Sequence, residues 1–267
     1  AFLTQSDSIV NSREKIYLAE LEKFEKGLFF GYFGMTDSIS HMFFRFLKVK
    51  DSKYHNTILD AYRKADEIVG QTLKLMKKND VLIILSDHGF KSFDYEINLN
   101  TWLMENGYLI LKDNKKEGGE LLEDVDWSKT KAYAIGYNGI YLNLKDREGS
   151  GIVETEEIKS LEKEITAKLL KFKNPFTEAL VVKKIYTKAD LSISDSDKNT
   201  PDLSIGFYQG IRSSWESAVG AITKDIVSER ISKWSGDHLF DPSEVPGVLL
   251  MNRKLKNQNP NITDVMP

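Results

Sequence analysis

A chain of 267 residues, 41% hydrophobic and 29% charged, suits one large α/β domain or two smaller ones and can bury a sizeable core. A net charge of -3 offers no broad positive field for nucleic acid, and the lack of cysteine excludes disulfides and thiolate ligands, so any metal must be held by His and carboxylate. The longest apolar runs are strand-sized, well short of the ~20 residues that cross a bilayer, and no signal-peptide pattern opens the sequence, which starts at Ala1 without an initiator Met.

In chain order, residues 11–26 set Leu18, Leu21 and Phe24 at helical spacing among charges, predicting an amphipathic helix stopped at Gly27. "LFFGYFG" (28–34) then reads as a buried strand. From 56 to 78, Ile58, Tyr62, Ala65, Val69 and Met76 recur at roughly helical spacing, and "VLIILS" follows as a strand. Such a strand-helix-strand order predicts an α/β fold with a mostly parallel central sheet flanked by helices, whose ligands gather beyond the carboxyl ends of the strands. Further on, "LNTWLMENG" reads as a short helix ended by Gly107. "YLILK", "KAYAIG", "GIYLNL", "ALVVKKIYT", "LSIGFY" and "PGVLLMN" read as strands, and "ETEEIKSLEKEITAKLLK" as a charged helix. The middle third, 108–200, is expected to form a small inserted α+β subdomain within a domain spanning 1–267.

Four histidines are present, and three carry an aspartate at a suggestive distance. In "GMTDSISHMFFR", Asp37 and His41 are four apart, so a helix starting near Asp37 would put both on one face, able to grip a cation. "LSDHGF" sets Asp87 beside His88 at a strand end, with Gly89 easing a turn, and "WSGDHLFDP" places a glycine before Asp237-His238. Taken singly, each has a plain alternative: a surface hydrogen bond, a polar turn, a helix cap. Together they could supply three to six ligands suited to zinc or manganese. His55, in "SKYHNT", reads as a solvated histidine, and Lys91 as a loop lysine able to attract a phosphoryl group.

"DSISH", then "LSDHGF", then the late "GDH", with flanks such as "GLFFGYFGMTDSISHMFFR", "INLNTWLMENGYL" and "WSGDHLFDPSEVPGVLLMNRKL", resemble the alkaline phosphatase superfamily, in its type I phosphodiesterase/nucleotide pyrophosphatase branch. The resemblance runs over nearly the whole chain. It implies an alkaline phosphatase-like α/β fold carrying two divalent metal ions, zinc with manganese as the alternative. Asp37, His41 and His238 would bind one ion, and Asp87 and His88 the other. The implied activity is hydrolysis of phosphodiester or pyrophosphate bonds in a small phosphoester or nucleotide substrate, through a metal-activated Ser or Thr nucleophile.

In that pattern a further aspartate and the nucleophile precede the Asp-x-x-x-His segment, and only 36 residues precede it here. The chain is therefore expected to be the carboxyl-terminal part of a larger enzyme, inactive or nearly so alone, with an incomplete second metal site and no catalytic residue of its own; Thr4, Ser6, Ser8 and Thr36 are rejected as nucleophiles. "NPNITDVMP" is expected to lead into a further helix. Asp237 and Asp241 have no ligand role in the pattern and are candidates for contacts to His238. The rival readings are a phosphomonoesterase, sulfatase or phosphosugar mutase of the same superfamily, and a metal-free scaffold domain. The compartment stays open, the cytoplasm favoured over secretion or the periplasm.

Overall fold

A computed structural model describes residues 1–194, 197–254, 257 and 260. The expected lead-in at 259–267 falls almost entirely outside the described residues. The chain forms two units, Ala1–Phe90 with Lys233–Gly236 and Pro246–Pro267, and Lys91–Ser232 with Asp237–Val245.

The first unit is built on three helices, α1 (Phe2–Lys23), α2 (Met35–Phe43) and α3 (Thr57–Leu75). The α1 helix begins nine residues before the expected start. Leu3 packs against the cluster of Ile39, Phe43, Ile58 and Ala61, and Val10 joins a second cluster with Met35 and Ile68, so the early turns have apolar surface to bury. The buried stripe of α3 is Ile58, Ala61, Ile68 and Thr72, one residue ahead of the Tyr62 and Val69 expected from spacing. Small Ala61 faces the neighbouring helix while Tyr62 keeps its hydroxyl in water.

Residues 28–34 differ from the expected buried strand. They pair with no strand among the described residues, and Leu28 is 90% exposed. Their alternation is still that of a strand with one covered face: Phe29 and Phe33 pack on Tyr17 at 5.3 and 5.4 Å between ring centroids, while Leu28, Phe30 and Tyr32 point outward. Periodicity sets which side chains turn inward; a ladder needs a neighbour that periodicity cannot supply. The strand β1 (Ile83–Leu85) does form, paired antiparallel with Leu249–Met251 in the register Ile83 to Met251.

The second unit holds two sheets. In one, β2 (Lys91–Ile97) lies between β7 (Gly210–Ser213), which it pairs in parallel, and β8 (Val227–Glu229), antiparallel to it. The other runs β3 (Ala132–Ala134), β4 (Gly139–Leu142), β6 (Leu203–Phe207) and β5 (Val182–Thr187), antiparallel throughout. The mixed α/β class is as expected; among the named strand pairs of the described residues, β2 with β7 is the parallel one.

Helices α4 (Leu99–Glu105), α5 (Ile158–Leu169) and α6 (Trp215–Ala218) belong to this unit. Asn98 caps α4 by accepting the Thr101 N–H at 2.9 Å, and Gly107 leaves it at φ 77°, as the "ENG" ending predicts. Asn100 then locks α4 to β3, accepting the Ala134 N–H at 2.7 Å and donating to its carbonyl at 2.8 Å. Leu161, Ile165 and Leu169, four apart on α5, are buried. "YLILK" forms only an isolated bridge, Leu111 to Val125, rather than a strand. No described helix is long and apolar enough to cross a membrane.

Candidate metal centre

The α2 helix starts just after Gly34, so the spacing of four brings Asp37 of its first turn and His41 of its last onto one face, with the aspartate at the helix end that suits its charge. His41 is buried. Its ring stacks on Trp234 with centroids 3.9 Å apart and meets the edge of Phe90 at 4.7 Å. The Nδ1 atom lies 2.8 Å from the Gly236 carbonyl oxygen. A carbonyl can only accept, so Nδ1 carries the proton, and in the neutral ring Nε2 then carries the lone pair. That Nε2 is 3.5 Å from Asp37 Oδ1.

The backbone that delivers the Gly236 carbonyl is itself pinned, because the Ser235 N–H donates to the His41 carbonyl at 2.7 Å and the Arg45 N–H to Ser235 Oγ at 3.2 Å. A side chain at 236 has no room: a Cβ would stand 2.5 Å from the Ser40 carbonyl oxygen and 2.7 Å from Phe44 Cβ. This close approach accounts for the glycine of "SGDH".

Beyond β1, Ser86 ties the strand end to Val248, accepting its N–H on Oγ at 2.9 Å and donating its own N–H to that residue's carbonyl at 3.0 Å. Asp87 and His88 follow at once. Adjacent side chains of an extended strand would diverge, but here they turn back, with His88 Nε2 3.5 Å from Asp87 Oδ2 and 4.0 Å from Asp37 Oδ1. His88 Nδ1 is 3.1 Å from the Gly89 carbonyl, which assigns the same tautomer as in His41. Phe90 packs on both rings, 5.4 Å from that of His88. Asp87 is 84% exposed and Asp37 38%, so the carboxylates open to solvent while His41 is sealed.

Four of the five residues singled out by sequence thus meet in the first unit. Two ligand atoms at ~2.1 Å from one tetrahedral ion stand about 3.4 Å apart. The Asp37–His41 and Asp87–His88 pairs are each separated by 3.5 Å, a spacing that suits a shared cation.

His238 belongs to the second unit, half-buried, where its N–H donates to Asp237 Oδ1 at 2.7 Å. It follows Gly236 by two residues, so its Cα lies within ~7 Å of that of Gly236 by chain geometry alone. Asp241, a candidate contact of His238, serves a local turn: Ser243 donates its N–H to Oδ1 at 3.0 Å and Tyr186 its hydroxyl to Oδ2 at 2.8 Å. Burial alone would raise the Asp241 carboxyl, but these bonds hold it below the ordinary range, and burial beside it pushes Tyr186 up to about 12. His55 is half-buried against Phe46, its Nδ1 3.2 Å from that carbonyl, and Lys91 opens β2 rather than lying in a loop. The aromatic walls Phe90 and Trp234 were not singled out as site residues in the sequence, though each flanks a histidine motif, in "DHGF" and "WSGDH".

The sequence model of the type I phosphodiesterase / nucleotide pyrophosphatase family matches residues 5–210, a span that takes in Asp37, His41, Asp87 and His88. No curated protein matches the chain.

Proposed function

Because the chain belongs to the type I phosphodiesterase/nucleotide pyrophosphatase family, hydrolases of the alkaline phosphatase superfamily, we propose that it contributes a divalent-metal centre for cleaving phosphodiester or pyrophosphate bonds in a small phosphoester or nucleotide. Asp37, His41 and His238 hold one ion in this reading, and Asp87 and His88 contribute to a second. Zinc suits the imidazole-carboxylate set best, with manganese the alternative. No residue of the chain is assigned as nucleophile.

The observation that carries the reading is His41. A buried imidazole whose Nδ1 donates to the Gly236 carbonyl at 2.8 Å holds its Nε2 atom 3.5 Å from a carboxylate oxygen. The hydrogen bond fixes ring orientation and makes Nε2 a better donor to metal. Trp234 and Phe90 close the ring in from two sides and keep water off it. His238, two residues past Gly236, is tethered within reach of the same neighbourhood. A divalent cation in such a site supplies Lewis acidity toward phosphoryl oxygens and lowers the pKa of an attacking hydroxyl.

Elemental analysis of protein purified without chelator tests this. About one bound zinc or manganese per chain is expected, lost in His41→Ala and in His238→Ala and kept in His55→Ala. Protein that retains no metal and takes up none on titration would overturn the reading. Activity on a bis-aryl phosphate over a mono-aryl phosphate is the expected substrate preference, and the reverse would favour a phosphomonoesterase.

A further inference from the structure

The buried side chain behind His238 is not one of the ligands assigned above. Arg212, on β7, has no exposed surface. Its Nε donates to the Ser213 carbonyl at 2.9 Å, and its guanidinium lies 4.4 Å from the Trp215 ring centroid and 5.1 Å from that of Phe93. Its Nη1 donates to Asp237 Oδ2. Asp237 is buried too, and its other oxygen is committed elsewhere: Oδ1 accepts the backbone N–H groups of His238 at 2.7 Å and Leu239 at 3.1 Å.

One carboxylate thus joins a rigid cation to the two peptide groups that carry His238. A guanidinium seated on Oδ2 holds the carboxylate plane in one orientation, and with it the Oδ1 atom that accepts both N–H groups. Removing the guanidinium would take away the group that holds Asp237 Oδ2 and free the carboxylate to turn, and the backbone at 238 and 239 would lose the acceptor that sets its direction. The Gly236 carbonyl, one residue before Asp237, is fixed independently by His41.

We propose that Arg212 is a positioning residue for the metal centre, acting through Asp237 to fix the backbone from which the His238 imidazole projects. The proposal rests on the reading of His238 as a ligand. It ascribes to Arg212 no contact with metal or substrate.

The test is Co2+ titration of the full chain, followed by visible absorption, in wild type, Arg212→Met, Asp237→Asn, the double variant of these two, and His238→Ala. Arg212→Met is expected to weaken Co2+ binding ~10-fold, the low end of the usual loss when an outer partner of a ligand is removed. In the double variant the neutral Asn amide oxygen accepts both N–H groups without needing a cation, so affinity should return to within about 3-fold of wild type. Packing of Arg212 among its aromatic neighbours would not be repaired by Asp237→Asn. Arg212→Met binding as tightly as wild type, or a double variant ~10-fold weaker than wild type, would therefore overturn the proposal. Should Arg212→Met alone not fold, the double variant set against wild type decides it in the same way. Wild-type binding that is absent, or indifferent to His238→Ala, sinks the reading of His238 as a ligand and takes the proposal with it, a result distinct from a failed rescue.

Discussion

Gly236→Ala probes the candidate centre without touching a ligand. The added methyl would sit 2.5 Å from the Ser40 carbonyl oxygen and 2.7 and 2.9 Å from two carbons of Phe44. Two of the three contacts are backbone or Cβ atoms at the end of α2, which cannot swing aside, so the segment must retreat by ~0.7 Å or more to reach ordinary contact distance. A retreat of that size along the bond would stretch the His41 Nδ1 hydrogen bond from 2.8 Å to about 3.5 Å, past the limit of a useful bond. Overpacking costs about 1–3 kcal/mol and the lost bond about 1 kcal/mol, so a destabilisation of about 2–4 kcal/mol is expected in urea unfolding. With Nδ1 no longer held, Zn2+ or Co2+ affinity should fall by about 10- to 100-fold. An unfolding midpoint and a metal affinity both equal to wild type would refute the claim that the Gly236 carbonyl fixes His41.

Asn100→Ala removes both bonds to Ala134 and strands a buried N–H and C=O, which should cost about 2–4 kcal/mol in chemical denaturation; a loss under 1 kcal/mol would show that other groups or water satisfy β3. Burial pushes the Glu96 carboxyl above its ordinary range, outweighing the neighbouring Arg212. The folded state thus holds that proton more tightly than the unfolded one, and the linked stability is full below about pH 4 and lost as pH rises through the folded value. Glu96→Gln should accordingly raise the thermal midpoint at pH 7 and leave it unchanged at pH 4; a lower midpoint at pH 7 would mean that Arg212 needs both carboxylates. Leu28→Ser with Phe30→Ser replaces outward apolar side chains, 90% and 77% exposed, and should change stability by less than about 0.5 kcal/mol while reducing self-association in light scattering. A clear loss of stability would place those side chains against a covered surface.

Local order carried much of the sequence reading. The fourfold spacing of Asp37 and His41 needs only a helix, and a helix closes its own hydrogen bonds, so their shared face was legible. Gly107 after "LMEN" and the Leu161, Ile165 and Leu169 stripe were legible for the same reason. Strands were harder, since their bonds go to distant residues. "LFFGYF" has the better strand sequence and forms no ladder among the described residues, whereas "KSFDYEI", with a Lys, an Asp and a Glu, becomes β2 because β7 and β8 flank it. The role of Arg212 was not legible at all. Its partners Asp237, Glu96 and Trp215 are 25, 116 and 3 positions away, and nothing in "GIRSSW" marks the arginine as buried.

Both candidate metal-binding histidines of the first unit are oriented by main-chain carbonyls of glycine, His41 by Gly236 and His88 by Gly89, where metal-binding histidines often use a carboxylate. A carbonyl has no proton to gain or lose, so it selects the Nδ1–H tautomer of the neutral ring and adds no charge to a centre already holding Asp37 and Asp87. A set in which each imidazole brought its own carboxylate would crowd four negative charges into this neighbourhood in place of the two of Asp37 and Asp87, at a higher cost in mutual repulsion. Orientation by backbone also makes the ligand geometry depend on how the chain is packed rather than on any replaceable side chain. That is why a methyl at position 236 is expected to do what removal of no single acidic neighbour of His41 can do: turn the ring itself.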